Sequence, residues 1–188
     1  MLACAIDGPE GEARGTAVLC HPHPQHGGTM DNKVVATLAR AFTQCGWRAV
    51  RFNFRGIGGS AGSWDKGRGE IDDAVAVAAA VREPGWPLAL AGFSFGAFVA
   101  SHAAATLHPD RLVLVAPATA NFPVAAVPAD TLVIHGEADD VVPLAATLDW
   151  ARPQGLPVVV VPGGGHFFHG QLPLLKSIVV RHLSAPAG

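Results

Sequence analysis

Residues 88–100 read Leu-Ala-Leu-Ala-Gly-Phe-Ser-Phe-Gly-Ala-Phe-Val-Ala, an apolar run interrupted by a single serine at position 94. This pattern is typical of a buried strand that turns sharply into a helix. A serine on such a turn is held in a strained backbone conformation, so the residues two before and two after it must have almost no side chain. Gly92 and Gly96 meet that requirement. The pattern predicts that Ser94 is a nucleophile whose Oγ lies above the edge of the sheet, and the alternative is a serine that only caps the helix.

The overall composition is that of a compact α/β protein. Of the 188 residues, 49% are hydrophobic and 15% are charged, which fits one domain spanning residues 1–188. The net charge of −2 gives no electrostatic footprint for nucleic acid. No stretch reaches the roughly 18 apolar residues of a membrane helix. From these two observations we expect neither nucleic acid nor membrane as a partner. Three cysteines without a paired spacing and a start that lacks a signal-peptide pattern favour a cytoplasmic location.

Short apolar runs alternate with longer amphipathic ones, which is the pattern of parallel strands joined by crossover helices. A helix is expected to begin near Asp31, which could cap it. The polar turn at residues 8–12 could join residues 2–6 to the next strand as a small hairpin. The other predicted strands cover 16–20, 47–54, 88–93, 111–116, 131–135 and 157–161, and the other predicted helices cover 70–82, 144–150 and 171–183.

Two later strands end in residues that could assist a serine nucleophile. The strand over 131–135 is followed by Asp139 and Asp140, and the strand over 157–161 is followed by His166. In an open α/β sheet the ligand site lies at the carboxyl ends of the strands. Serine, acid and histidine therefore occur in the chain order that catalytic triads built on such a turn use.

Five segments in order resemble the α/β-hydrolase superfamily, and more closely the small, lidless bacterial serine esterases similar to dienelactone hydrolases. They are residues 21–33, 52–60, 92–96, 135–139 and 164–166, and together they span nearly the whole chain. The resemblance implies an α/β-hydrolase fold, with a mostly parallel central sheet, helices on both faces and minimal or no lid. The chain departs from dienelactone hydrolases proper in having Ser94 where they carry a cysteine, in its shortened leading strands and in its near absence of a lid insertion.

The resemblance also implies the role of each candidate residue. Ser94 would be the nucleophile, His166 its general base, and Asp139 the acid that holds the imidazole. Asp139 matches the pattern Gly-x-x-Asp-x-Val-Val-Pro over 136–143, and Asp140 is the alternative. The implied activity is cleavage of small, short-chain carboxylic esters through an acyl-enzyme without a cofactor. A thioesterase, peptidase or acyltransferase on the same residues is the alternative within enzymes, and a non-catalytic binding module is the alternative outside them.

An acyl-enzyme mechanism also needs two N–H groups to stabilise an oxyanion. The resemblance implies the backbone N–H of Phe95 as one of them. The second donor is expected in the loop after the strand over 16–20, where Pro22 and Pro24 have no N–H. The resemblance implies the backbone of His23, which follows the place where relatives carry His-Gly, with Gln25 as the second choice. A metal site formed by His21, His23 and His26 is a competing interpretation, but no carboxylate accompanies these histidines in the motif and we expect no metal.

Aromatic residues near the predicted site are candidates for an acyl pocket, with core packing as the alternative for each. Arg55 is expected to form an ion pair with Asp72 and Asp73, although contact with a substrate carboxylate is also open to it. The sequence predicts no oligomeric state. The candidate pocket residues are Phe93, Phe122, Phe167, Phe168 and Trp64.

Overall fold

The structure is a computed structural model that describes residues 1–185. Strands and helices alternate along most of the chain, as the sequence predicts. The strands are β1 (Cys4–Asp7), β2 (Gly15–Cys20), β3 (Trp47–Phe52), β4 (Leu88–Phe93), β5 (Arg111–Val115), β6 (Leu132–Gly136) and β7 (Val158–Val161). The helices are α1 (Lys33–Gln44), α2 (Arg68–Val81), α3 (Phe95–Leu107), α4 (Leu144–Ala151) and α5 (Leu172–Ser184).

The strands form one sheet in the order β1-β3-β2-β4-β5-β6-β7. Only β1 is antiparallel to its neighbour, and all the other neighbouring pairs are parallel. The expected hairpin of residues 2–6 with the following strand is wrong. Because β2 already has β3 on one side and β4 on the other, β1 instead pairs with the free edge of β3, where Cys4 lies opposite Phe52.

Helices cover both faces of the sheet, and each face has its own apolar core. Helices α1 and α5 pack on one face, and α2, α3 and α4 pack on the other. Residues 116–131, which join β5 to β6, contain no helix or strand. This architecture confirms the predicted α/β-hydrolase fold with a mostly parallel sheet and no lid. Within residues 1–185, every helix is too short or too polar to cross a membrane.

Three local predictions differ from the structure. The N-cap of α1 is Asn32, whose Oδ1 accepts from the N–H of Val34 at 2.9 Å, whereas Asp31 pairs with Arg51 at 3.0 Å. Strand β3 ends at Phe52, two residues before the predicted end, and the N–H of Phe54 donates to the His21 ring instead of to a neighbouring strand. The run of four valines in β7 is typical of a buried strand, but Val159 and Val160 are 36% and 38% exposed, since β7 lies at the sheet edge with a single neighbour.

The expected ion pair between Arg55 and Asp73 connects the loop after β3 to helix α2. Arg55 Nη2 lies 2.8 Å from Asp73 Oδ1, and the Asp73 carboxylate also accepts from the backbone N–H of Arg55. Asp72 is exposed and does not share in the pair. The guanidinium is therefore held against α2 instead of being free for a substrate.

Candidate active site

Strand β4 turns into helix α3 at Ser94, which has φ 56° and ψ −118°. A non-glycine residue in this left-handed region stores strain of about 1–3 kcal/mol. The two flanking glycines permit the turn. A Cβ on Gly96 would overlap the carbonyl groups of Cys20 and His21, and a Cβ on Gly92 would overlap the carbonyl of Gly96. The absence of a side chain at Gly96 thus allows α3 to approach the end of β2, and its absence at Gly92 allows β4 to approach α3.

Ser94, His166 and Asp139 form one line of hydrogen bonds at the carboxyl ends of β4, β7 and β6. His166 Nε2 lies 3.0 Å from Ser94 Oγ, and His166 Nδ1 lies 2.8 Å from Asp139 Oδ2. All three residues are buried. A carboxylate can only accept, so Nδ1 carries the proton of the neutral imidazole. Nε2 is then free to accept the proton of the serine hydroxyl.

Both oxygens of the Asp139 carboxylate accept hydrogen bonds. Oδ1 accepts the backbone N–H of Val141 at 2.9 Å and that of Val142 at 2.7 Å, while Oδ2 faces His166. Burial by itself would raise the pKa of Asp139, but the hydrogen bonds from His166 and from these two N–H groups outweigh it and hold the pKa below its usual value. Asp139 is therefore ionised at neutral pH. Asp140 is exposed.

The backbone N–H groups of Phe95, the first residue of α3, and of His23, in the loop after β2, have no acceptor within residues 1–185. The N–H of Gln25, in contrast, donates to Nδ1 of the His23 ring at 3.2 Å. Of the two residues considered for the loop donor, His23 is thus the one whose N–H is unoccupied.

A cavity of about 240 Å³ opens beside Ser94. Phe167, a residue that is 43% exposed, lines it, and its ring meets the His166 ring edge-on at 5.1 Å between centroids. Phe93 is fully buried and packs against His166 in the core instead of lining the cavity. The other wall residues are Pro22, His23, His26, Gly27, Gly28, Asn32 and Val141.

Trp64 and Phe122 lie outside this cavity wall, in an aromatic cluster with His23 and Phe95. The Trp64 ring is 4.7 Å from the His23 ring, and the Phe122 ring is 5.1 Å from the Phe95 ring. These contacts pack the side chains of the two residues that carry the unoccupied N–H groups. Phe168 is fully buried in the core formed with α1 and α5.

His21 uses both ring nitrogens within the fold. Nδ1 lies 2.7 Å from the carbonyl of Pro22, and Nε2 accepts the N–H of Phe54 at 3.1 Å. Burial lowers the pKa of His21 to about 4. A metal site built on His21, His23 and His26 would therefore lack its first ligand. Within residues 1–185, no three His, Cys, Asp or Glu side chains are grouped as metal ligands.

Sequence reasoning missed one residue that contacts the line of hydrogen bonds. His135, the fourth residue of β6, is fully buried, and its Nε2 lies 3.4 Å from Asp139 Oδ2. Its signal in the sequence is a polar side chain inside an otherwise apolar strand, Leu132–Gly136. Because a buried histidine is often only a packing residue, that signal does not assign a role.

Comparison with known proteins places the chain in a family. Residues 11–124, which include the turn at Ser94 but not Asp139 or His166, match the model of a family described as serine aminopeptidase S33. The chain is similar to an α/β serine hydrolase without a lid from Xanthomonas campestris, with 40% identity and a TM-score of 0.91 over 98% of this chain and 91% of that one. It is also similar to an α/β serine hydrolase homologue from Coxiella burnetii, with 42% identity and a TM-score of 0.89 over 97% and 92% of the two chains.

A curated relative is an uncharacterised protein of Rickettsia prowazekii, which is 38% identical over 110 residues. The match covers 50% of this chain and 46% of the relative, so the chain spans less than half the length of that protein. The family model and the two full-length structural matches agree on the class of protein. The chain belongs to the α/β-hydrolase superfamily, within its serine hydrolases.

Proposed function

We propose that the chain is a serine carboxylesterase in which Ser94, His166 and Asp139 form the catalytic triad. The observation that carries the proposal is the continuous line of hydrogen bonds from Ser94 Oγ through the imidazole to Asp139, with spacings of 3.0 and 2.8 Å. The strained conformation of Ser94 supports it, because such strain is retained where it orients a nucleophile. A serine that only capped α3 would have a cap hydrogen bond from its side chain, and Ser94 has none.

In the acylation step, Ser94 Oγ attacks the ester carbonyl and its proton passes to His166 Nε2. The resulting imidazolium is stabilised by Asp139, which remains ionised and does not take a proton from it. The negative charge on the carbonyl oxygen is received by the N–H groups of Phe95 and His23. When the carbon–oxygen bond to the leaving group breaks, His166 returns the proton to the departing alcohol, and an acyl-Ser94 ester remains.

In the deacylation step, a water molecule takes the place of the alcohol. His166 Nε2 removes its proton while the water oxygen attacks the acyl carbon, and the same two N–H groups receive the second oxyanion. Breakdown of this intermediate returns the proton to Ser94 Oγ and releases the carboxylic acid. All the groups needed belong to the chain, so the cycle requires no cofactor.

The wall of the cavity favours a small neutral ester over an amino-terminal peptide. An aminopeptidase must bind the ammonium group of its substrate, which calls for a nearby carboxylate. The ten residues around the 240 Å³ cavity include no aspartate or glutamate. A second cavity of about 300 Å³ shares Gly27, Asn32 and Phe167 with it and has room for the other half of an ester. Asp31 lines this second cavity, but its carboxylate is paired with Arg51 at 3.0 Å.

The test is intact mass spectrometry after incubation with a fluorophosphonate, on wild type, Ser94→Ala and Ser63→Ala in parallel. We expect one adduct on wild type and on Ser63→Ala, whose serine is exposed, and no adduct on Ser94→Ala. Turnover of p-nitrophenyl butyrate and of alanine p-nitroanilide then separates an esterase from an aminopeptidase. A folded wild-type protein that forms no adduct would contradict the proposal and favour a binding module, while faster turnover of the anilide would contradict its ester specificity.

A further inference from the structure

We propose that His135 is a positioning residue for the acid of the triad, and that it acts through a neutral ring whose Nε2–H faces the Asp139 carboxylate and the Val142 carbonyl. The inference rests on the proposed function for its kinetic consequences, but its geometry does not depend on any substrate. Its observations are the full burial of His135 and the contacts of both ring nitrogens.

The contacts of His135 select one tautomer. Nε2 lies 2.8 Å from the carbonyl oxygen of Val142 and 3.4 Å from Asp139 Oδ2, and both of these atoms can only accept. Nδ1 lies 3.2 Å from the hydroxyl of Thr147, which can donate. A proton on Nε2 therefore satisfies both sides of the ring, whereas a proton on Nδ1 would leave a nitrogen lone pair facing two oxygens.

The hydroxyl of Thr147 is itself directed by a neighbour. It lies 3.0 Å from the hydroxyl of Thr119. When the Thr119 hydroxyl donates a hydrogen bond to Thr147, the Thr147 hydroxyl can donate its own proton in a hydrogen bond to His135 Nδ1. Thr147 is fully buried, so water does not compete for its hydroxyl. The chain of donors thus runs from Thr119 through Thr147 to His135 and keeps the His135 Nε2–H directed at the loop that carries Asp139.

His135 closes a ring of hydrogen bonds around the acid. The carbonyl of Val142 accepts from His135, and the N–H of the same residue donates to Asp139 Oδ1 at 2.7 Å. This arrangement fixes the carboxylate so that Oδ2 points at His166 Nδ1. Without the His135 donor, the loop over 139–142 loses one anchor and the carboxylate can rotate away from the imidazole.

The neutral state of His135 is part of the arrangement. Burial lowers its pKa, and the nearby His166 acts in the same direction, while the bond to Val142 and the charge of Asp139 oppose them. Within the described residues, Asp139 and His166 are the titratable groups that act on it. A neutral His135 does not compete with His166 for the negative charge of Asp139 when the imidazolium forms.

Two amide variants that differ by one methylene separate this role from simple packing. The side-chain nitrogen of glutamine can occupy the place of Nε2, whereas that of asparagine reaches only the place of Nδ1. We expect His135→Gln to retain kcat for p-nitrophenyl butyrate within a few-fold. We expect His135→Asn to lower kcat by about 10-fold to 100-fold, since a misplacement on the scale of 1 Å costs that much, with KM unchanged within two-fold.

The pH profile gives a second readout that packing alone would not move. In His135→Asn, the acid limb of kcat/KM shifts to lower pH because a displaced carboxylate stabilises the imidazolium less. In His135→Gln it stays at the wild-type position. Equal kcat and equal acid limbs in folded His135→Asn and wild type would overturn the proposal, as would equal losses in the two amide variants.

Thr147→Val is the second variant if the histidine substitutions impair folding. It removes the donor to Nδ1 with almost no change of shape. We expect a lower kcat and an acid limb at lower pH, as in His135→Asn, but with smaller changes. Thr147→Ser keeps the hydroxyl and serves as the control. A wild-type profile in folded Thr147→Val would contradict the tautomer argument.

A spectroscopic measurement keeps this proposal separate from the proposed function. The proton NMR signal of His166 Nδ1–H lies at low field when it bonds to Asp139, and it requires no substrate. We expect the signal to persist in His135→Gln and to broaden or move upfield in His135→Asn. If the wild type cleaves no ester but the signal responds in this way, the esterase proposal fails and the positioning role stands. An unaltered signal in His135→Asn rejects the positioning role.

Discussion

Asp139 and Asp140 are adjacent in the chain and face opposite environments. The Asp139 carboxylate is buried and accepts from His166 Nδ1 at 2.8 Å, whereas Asp140 is exposed. Asp139→Asn should lower kcat for a short-chain ester by roughly 10³-fold to 10⁴-fold, because an amide favours the wrong tautomer of the imidazole. Asp140→Asn should stay within about two-fold of wild type, as surface substitutions usually do. Comparable losses in the two variants would refute the assignment of the acid.

This pair shows how far the sequence alone can identify the candidate site. The turn at Ser94 is a local feature, since the glycines two residues before and after it are needed by that turn itself. Asp139 and His166 could be predicted because both follow strands, and the carboxyl ends of parallel strands meet at one edge of the sheet. The 3.4 Å approach of His135 to Asp139 depends on how the following loop folds back, which no spacing in the chain encodes.

The glycine two residues after Ser94 gives a prediction about stability. A Cβ at Gly96 would overlap the backbone carbonyls of Cys20 and His21, and backbone atoms in the sheet cannot move aside easily. Gly96→Ala should lower the free energy of unfolding by about 1–3 kcal/mol or more, measured by urea denaturation. Gly8→Ala is the matched control because a Cβ there meets nothing within 4 Å. Equal unfolding free energies for the two variants would contradict the close approach.

The errors of sequence reasoning in the fold have a common physical origin. Asp31 and Asn32 are both good N-cap residues, and the choice between them is made by Arg51, which draws the Asp31 carboxylate to itself. Likewise, the polar turn after β1 is compatible with a hairpin, but β2 is occupied on both edges by parallel neighbours. In each case a partner distant in the chain decides between local alternatives of similar free energy.

The size of the cavity predicts the chain length of the preferred acyl group. A space of about 240 Å³ beside Ser94 accommodates a few methylenes, and residues 116–131 form no lid that could cover a longer chain. The value of kcat/KM for p-nitrophenyl esters should therefore be highest for acetate or butyrate and fall for decanoate. Faster hydrolysis of the decanoate ester at concentrations below its micelle threshold would contradict this expectation.

A variant with a wider cavity tests whether the size of the cavity limits the length of the acyl chain. Phe167→Ala removes the aromatic wall next to His166, and it should narrow the difference in kcat/KM between acetate and longer esters. Leu174→Ala is the control, because it truncates a similarly exposed apolar side chain that does not line the cavity. If both variants keep the wild-type preference, Phe167 does not contact the acyl group.

His21 gives a prediction about stability and pH. Its pKa is lowered from 6.5 to about 4, chiefly by burial. Below pH 6.5 the unfolded chain therefore binds a proton at this imidazole that the folded chain does not bind until about pH 4. The contribution of His21 to stability is complete above pH 6.5, declines as the pH falls, and levels off below pH 4. At roughly 1.4 kcal/mol for each pH unit, the loss amounts to about 3 kcal/mol.

The measurement is urea denaturation of wild type and His21→Gln at intervals between pH 4 and pH 7.5. Glutamine can accept the N–H of Phe54 and donate to the carbonyl of Pro22, as His21 does, but it binds no proton in this range. The free energy of unfolding of wild type should therefore fall more steeply towards pH 4 than that of the variant. His169→Gln, which changes an exposed imidazole, should keep the wild-type slope. Parallel curves for wild type and His21→Gln would mean that His21 titrates alike in the folded and unfolded chains, and that its burial between β2 and the loop after β3 is not maintained in solution.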